Sequence, residues 1–585
     1  MRIAIVMSAL SSVLWTAAPQ VQAIRTGVTC EKLDNPIDMA KQHCICSPCH
    51  VCEYDKDTKT CGYIKDNGID LSDGSNFPAL QPTLGAKTWF LAKDEITKSR
   101  GGVPRSDLQV YSTGNKVDVF PAGDTFFMSV YNDIERSSAD DTIYLAAWST
   151  DDVPFDPIND PTGAKTSFKS IMSRAINRGA DFRALVWRNM LEMKQNVKLR
   201  DYINSLTKPA SGGPTRYLFD DRMPELASSL HQKTLVLRQQ NKLIAYIGGI
   251  DLTSDRWDTV RHDQSKLREQ TKIKRMFDGW LDGHYRIEGP ATLDIGANFL
   301  QRWNSDYKPL ENIVGDVVRD FKNPDYAKLL HYTSKGELDL TTTGNQSVQI
   351  TRTFSCKYPN YKEFAPKGEN SILQARIKAI KMTKNFIYIE DQYFILVPEL
   401  LEALLEVLPR IQRLIVVAQR VLREVKPLDT RSTFTTCGSD SEPLPNKFQL
   451  YSTKESCNLY IHSKIVIIDD VYLSLGSANW SRRSMTSDAE IGANVVDSDI
   501  ITSPEGLQVG KVVRDFRVAK FAEKLGMSVE DVDPMPFLEV ANAFDTAAES
   551  PSSIIERLDV REHSSFAAFN DVVRQNVDPD DKCGY

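Results

Sequence analysis

Two histidine–lysine pairs carry the reactive chemistry of this sequence. His462 and Lys464 stand two residues apart in LYIHSKIVIIDDVYL, with Asp469 five residues further on. His231 and Lys233 repeat that spacing in LHQKTLVLRQQ. An imidazole can attack an electrophile or move a proton near neutral pH, and an ammonium close by supplies a fixed positive charge. On a strand, residues two apart share a face, so each histidine points the same way as its lysine, and Asp469 points the other way. A lysine opening an otherwise apolar strand suits packing poorly, because lysine is almost never buried without a partner.

The elements that must position these groups are also duplicated. Ile465 to Ile468 is an unbroken apolar run, the pattern of a strand buried on both faces. After Lys233 come an apolar strand, a polar turn at Gln239–Lys242, a second apolar run at Leu243–Ile247, and Gly248-Gly249. The later copy likewise ends in a second strand and then Gly476-Ser477-Ala478-Asn479. The histidines are 231 residues apart, and the upstream flanks repeat as DTIYLAAWS (141–149) and NFIYIEDQYF (385–394). A duplication of this length predicts two like half-domains meeting at a pseudo-twofold axis. Helices are expected at 167–178, 371–383 and 398–408, and strands at 182–187, 386–389 and 413–418. This alternation predicts an α/β fold in which each half is a mixed, largely parallel sheet flanked by helices.

With these motifs in place, the chain resembles the phospholipase D superfamily, whose signature is two His-Lys-Asp motifs. The likeness runs over roughly residues 85 to 530. GGIDL (248–252), RWD (256–258), HYRIEGPATLDIGANFLQRW (284–303), IYIEDQYF (387–394) and GSANWSRRSM (476–485) are similar to segments of its eukaryotic phosphatidylcholine-hydrolysing branch. The first motif departs from the pattern, with Arg238 where the family has aspartate. Strand alternation puts that position on the face opposite His231 and Lys233, where an aspartate supports structure more than chemistry.

The resemblance implies a reaction. A phosphodiester is anionic and repels anionic nucleophiles, whereas a neutral imidazole can attack phosphorus and form a phosphohistidine. A second, protonated histidine gives its proton to the leaving alcohol and then takes one from water. Lys233 and Lys464 hold the nonbridging oxygens as charge grows, so no metal or cofactor is expected. By resemblance His231 is the nucleophile and His462 the acid/base; the residues themselves do not distinguish the two. Asp469 is grouped with this catalytic set. Asp251 and Asn479, at matching places after the glycines, are expected to bind phosphate or fix the reactive groups, with Asp251 orienting a histidine or lysine. Ser477 is expected to donate to phosphate. Glu490 and Glu390 are candidates to back an imidazole.

Five segments are expected. Residues 1–23 read as a signal peptide, with Arg2, an apolar stretch and a small residue at Ala23. Residues 24–85 hold six clustered cysteines, which read as disulfides in an exported protein. The first repeat is 86–335, the second 336–545, and 546–585 is an acidic, Ser-rich tail whose Cys583 is offered Cys356 as partner. A long polar stretch, 426–457, precedes the second motif, and Cys437 and Cys457 could staple it. No span beyond the leader has membrane length, so the mature chain reads as secreted, extracellular and acting at a phospholipid surface. A monomer suffices, since one chain holds both motifs. The net charge of −7 speaks against nucleic acid as partner. Phospholipid hydrolysis to phosphatidic acid is thus the first reading. A nucleic-acid phosphodiesterase of the same fold, or a catalytically dead secreted binding protein, are the alternatives.

Overall fold

The computed structural model describes residues 43–47, 50–55, 60–63, 77–188, 193–207, 215–224, 228–309, 323–358, 360–394, 397–419, 447–558, 578–581 and 583. The leader at 1–23, most of the cysteine-rich segment and the polar stretch over 426–446 lie outside them. Three antiparallel strands, β1 (His43–Ser47), β2 (His50–Asp55) and β3 (Thr60–Tyr63), belong to a unit of their own.

The rest of the chain is built on one large mixed sheet. The first repeat contributes β4 (Ser112–Phe120), β5 (Thr142–Ala147), β6 (Asp181–Trp187), β7 (Arg216–Asp220), β8 (Thr234–Gln239) and β9 (Lys242–Gly248). The short β10 (Gly279–Leu281) and β11 (His284–Glu288) follow. The second repeat contributes β12 (Gln346–Phe354), β13 (Glu369–Asn370), β14 (Phe386–Asp391), β15 (Arg413–Ala418) and β16 (Phe448–Thr453). It goes on with the short β17 (Leu459–Ile461), then β18 (Lys464–Ile468), β19 (Tyr472–Gly476) and β20 (Glu490–Asp497). A small hairpin, β21 (Ile500–Thr502) with β22 (Gln508–Gly510), and β23 (Ile555–Arg557) complete the set.

Across the sheet the order is β23-β16-β15-β14-β18-β19-β20-β12-β4-β11-β9-β8-β5-β6-β7. Read from the β12–β4 junction outward, each half repeats the other, which is the twofold that the duplication predicts. One expectation is corrected. Only the outer strands β5-β6-β7 and β14-β15-β16 run parallel, while every other pair along the path is antiparallel, so the sheet is mixed but not largely parallel. The reason is the hairpin after each motif, β8–β9 and β18–β19, which turns the chain back on itself. The two sheets also fuse edge to edge through β12 and β4, so neither inner edge is left unpaired.

Helices cover both faces because the strands are apolar on both. Ile143, Leu145 and Ala147 of β5 pack with α1 (Gly123–Glu135), α2 (Phe168–Asn177) and α3 (Met193–Ser205). Tyr144 and Ala146, pointing the other way, join Phe299, Leu300 and Trp303 of α4 (Thr292–Asn304). Ser167 caps α2 by accepting from the Ser170 N–H, and Gly179 follows it at φ +102°, a conformation open to glycine. The second repeat has α5 (Ser371–Met382), α6 (Pro398–Val407), α7 (Arg482–Thr486), α8 (Lys511–Leu525) and α9 (Phe537–Glu549).

Residues 77–98 pack on the second repeat rather than the first: Leu80 exchanges hydrogen bonds with the Asn385 side chain, and Trp89 stacks on Tyr472 at 5.7 Å. Parts of the C-terminal segment are described. α9 runs to Glu549, β23 pairs with β16, and Cys583 is joined to Cys356. Within the polar stretch, Phe448–Thr453 is a buried strand, and Cys457 is a free thiol.

Candidate active site

Each motif histidine is reached through a short crossing between the repeats. β10 of the first repeat pairs in parallel with β17 of the second, and the backbone N–H of His462 donates to the Leu281 carbonyl at 2.8 Å. Reciprocally, Leu230 bridges Ala489, and the N–H of His231 donates to the Ala489 carbonyl at 3.0 Å. The residue after each of those carbonyls is an acid. Glu490 therefore meets Nδ1 of His231 at 3.0 Å, and Asp282 meets Nδ1 of His462 at 2.7 Å. Each imidazole is held by a carboxylate of the other repeat. With Nδ1–H committed to the acid, Nε2 is the atom left for chemistry.

Sequence reasoning reaches Glu490 but misses Asp282. The signal lies in the duplication: LDGHYR and AEIGAN occupy equivalent strands, β11 and β20, so the acid before one implies the acid before the other. A second signal is Gly249. A Cβ built there would lie 1.9 Å from Asp282 Oδ1, so the glycine makes room for the carboxylate. Asp282 also accepts from Gly283 N–H at 2.9 Å and from the Trp280 indole N–H at 3.3 Å. At the matching place Ser477 fixes Glu490: its hydroxyl donates to Oε2 and accepts from the Ile491 N–H. Ser477 is thus spent on the carboxylate and is not a phosphate donor.

The lysines lie deep in the same centre. Lys233 and Lys464 each donate to the carbonyl of their own histidine, two residues back. Lys233 also pairs with Asp251 at 3.3 Å, and Asp251 accepts from the Trp148 N–H at 2.9 Å. Asp251 therefore orients a lysine. Burial, and then its neighbour Lys233, bring Lys464 down to about 8, against the pull of Asp282 and Asp391. Both histidines sit well below the usual imidazole range, because burial and the lysines disfavour a further positive charge. Burial also lifts Asp282 to about 6 and raises Glu490. His231 also disfavours a positive charge on His462. Asn479 is buried, and its side-chain oxygen has no hydrogen-bond partner.

Two further expectations are corrected. Glu390 backs no imidazole. It neighbours Asp391 on β14, and alternation sends it to the opposite face, toward α8, where it meets Lys520 at 3.1 Å and Lys524 at 2.9 Å. It also accepts from Tyr388 and Ser463, so it braces the second motif's strand from beneath. Glu523 extends this cluster to His262, which Asp258 holds on its other nitrogen. Asp469 is not catalytic. It lies about 16 Å along the strand from Lys464, at ~3.3 Å per residue. There its carboxylate accepts the backbone N–H groups of Lys384, Asn385 and Phe386. It ties the end of the β18–β19 hairpin to the start of β14, with Asp469 and Asp470 both at positive φ.

That arrangement explains Arg238. The corresponding hairpin of the first repeat is tied from the other side: Asp141, just before β5, accepts from the Gln240 N–H at 2.7 Å and from the Ser138 N–H. The first hairpin thus has its carboxylate tie without an acid at position 238, and Arg238 removes no reactive group from the first motif.

Residues 137–398 match the family model described as "Phospholipase D", and residues 377–505 match the "Cardiolipin synthase, PLD-like domain" model. The chain is similar to phospholipase D gamma 1 and phospholipase D alpha 3 of Arabidopsis thaliana, 24% identical to each over 66% of this chain. It spans 60% and 61% of those relatives' own length. A phosphatidylserine synthase from Haemophilus influenzae overlays with a TM-score of 0.41 at 14% identity, covering 66% of this chain and 82% of its own. The two family models take in both histidine–lysine pairs and both carboxylates that orient them, and the chain belongs to the phospholipase D superfamily.

Proposed function

We propose that this protein is a phosphodiesterase that cleaves the headgroup ester of phospholipids and releases phosphatidic acid. The observation that carries the reading is the crossed pair of His–carboxylate contacts, flanked by two buried lysines. Nε2 of neutral His231 attacks phosphorus, and the P–O bond to the headgroup breaks as His462 gives its Nε2 proton to the departing oxygen. Water then attacks the phosphohistidine, His462 takes the water proton, and the P–N bond breaks. Lys233 and Lys464 balance the charge that grows on the nonbridging oxygens. An anionic diester favours a proton on the neighbouring imidazole, so substrate entry opposes the depression of His462 in the empty site.

We further propose that the protein works outside the cell on a lipid surface. The leader-like residues 1–23, the clustered cysteines and the Cys356–Cys583 pair support this. The test is phosphatidic acid release from phosphatidylcholine vesicles in chelator, by the wild type and the His231→Ala and His462→Ala variants. Turnover by the wild type and its loss in both variants is expected. A wild type inert on every lipid offered sinks the reading.

A further inference from the structure

Around this site most of the cations are matched by acids, and Arg256 is one that is not. Lys233 has Asp251, and Lys464 has Asp282 and Asp391 nearby. Arg483, whose charge acts on His231, is paired with Asp488 at 2.9 Å. Arg256 has no ion pair among the described residues. Its guanidinium lies 4.0 Å from the Trp280 ring centroid and donates to the Ser254 carbonyl at 3.2 Å, while its buried Nε makes no hydrogen bond. Trp280 in turn packs on His462, at 5.1 Å between ring centroids, and holds Asp282. The charge of Arg256 reaches His462, Asp282 and Tyr460.

A half-buried guanidinium without a counter-ion is unfavourable in the empty protein, and a chain with 78 acidic residues has no shortage of partners to offer it. The cation–π contact holds the planar group in one orientation and leaves its remaining donors for an anion. Arg376, 5.6 Å from the Trp480 ring, likewise has no ion pair among the described residues, but it is buried, whereas Arg256 is half-exposed and open to an incoming anion. Resting on the phosphodiesterase reading, we propose that Arg256 is a substrate-binding residue that takes an anionic oxygen of the substrate on the His462 side. That oxygen belongs either to the phosphate itself or to an acidic headgroup.

The test compares the wild type, Arg256→Gln and Arg256→Lys on phosphatidylcholine and phosphatidylserine vesicles, with melting temperatures in parallel. Arg256→Gln is expected to lower kcat/KM ten- to hundredfold, and Arg256→Lys, which keeps charge without the fork, five- to tenfold. An equal loss on both lipids assigns the oxygen to phosphate. A loss confined to phosphatidylserine assigns it to the headgroup carboxylate. Arg256→Gln within threefold of the wild type on both lipids overturns the proposal. If that variant does not fold, Arg256→Lys decides, and parity with the wild type overturns it. If the wild type releases no phosphatidic acid, the functional reading fails by itself. Arg256 is then judged by calorimetric binding of orthovanadate, where at least fivefold weaker binding to Arg256→Gln is expected and equal binding overturns the proposal.

Discussion

Replacing Asp282 by asparagine separates the two halves of the reaction. Asp282 Oδ1 accepts the Gly283 N–H, and Oδ2 accepts from the His462 ring at 2.7 Å. An asparagine that keeps its oxygen on Gly283 turns an amide N–H₂ toward Nδ1 of His462. Nδ1 must then accept, which moves the ring proton to Nε2. In that tautomer His462 cannot take a proton from water, so hydrolysis of the phosphohistidine is the step that suffers. A charge-assisted hydrogen bond contributes about 1.5–3 kcal/mol, which corresponds to roughly a 10- to 150-fold loss of kcat. With a phosphatidyl p-nitrophenol ester, the leaving group needs no proton and the first step is spared. Stopped-flow absorbance should therefore show a burst of nitrophenolate close to one per enzyme, followed by slow turnover. Glu490→Gln, acting on the attacking ring, should be slow without a burst. A burst in Glu490→Gln and none in Asp282→Asn would exchange the roles of the two histidines. Turnover of Asp282→Asn within threefold of the wild type would refute the orienting role.

Other outcomes follow from the same geometry. Gly249→Ala should reproduce the activity loss of Asp282→Asn, since the new methyl occupies the place of the carboxylate oxygen; a fully active variant would show that the strands can part. Asp469→Ala leaves three backbone N–H groups without their acceptor and should lower unfolding free energy by about 3 kcal/mol. Its kcat, measured on folded protein, should stay within threefold, and a larger fall would return Asp469 to the chemistry. Arg238→Asp should not raise kcat, because the first hairpin is already tied by Asp141; a severalfold gain would contradict that. His262 is opposed by burial, yet its hydrogen bonds to Asp258 and Glu523 outweigh this and lift it to about 9. Its folded value lies above the unfolded one near ~6.5, so its stabilisation is complete below that pH and is lost as pH rises through about 9. Urea midpoints should fall between pH 6 and 10 in the wild type and fall less in His262→Gln, and equal slopes would refute this.

Much of the fold is legible in the residues because it rests on local pattern. The apolar runs at Ile143–Ala147 and Ile465–Ile468, the repeated His-x-Lys spacing and the paired flanks identify the strands, the duplication and the family from residues alone. Helix ends at Gly179 and Gly526 and the strand Arg413–Ala418 follow from the same rules. Sequence periodicity says which residues share a face of a strand, and so periodicity alone sets Asp469 apart from His462. It does not say what lies across from that face. Glu390 and Asp391 are adjacent letters, yet one meets the lysines of α8 and the other accepts from the Trp480 and Tyr393 N–H groups. The partners of the two histidines are set by pairings over 180 and 259 residues. Only the crossing of β10 with β17 and the bridge of Leu230 to Ala489 bring them together. The reactive groups were therefore determined by the sequence, whereas the carboxylates that orient them were decided by long-range strand pairing, which leaves no mark on local spacing.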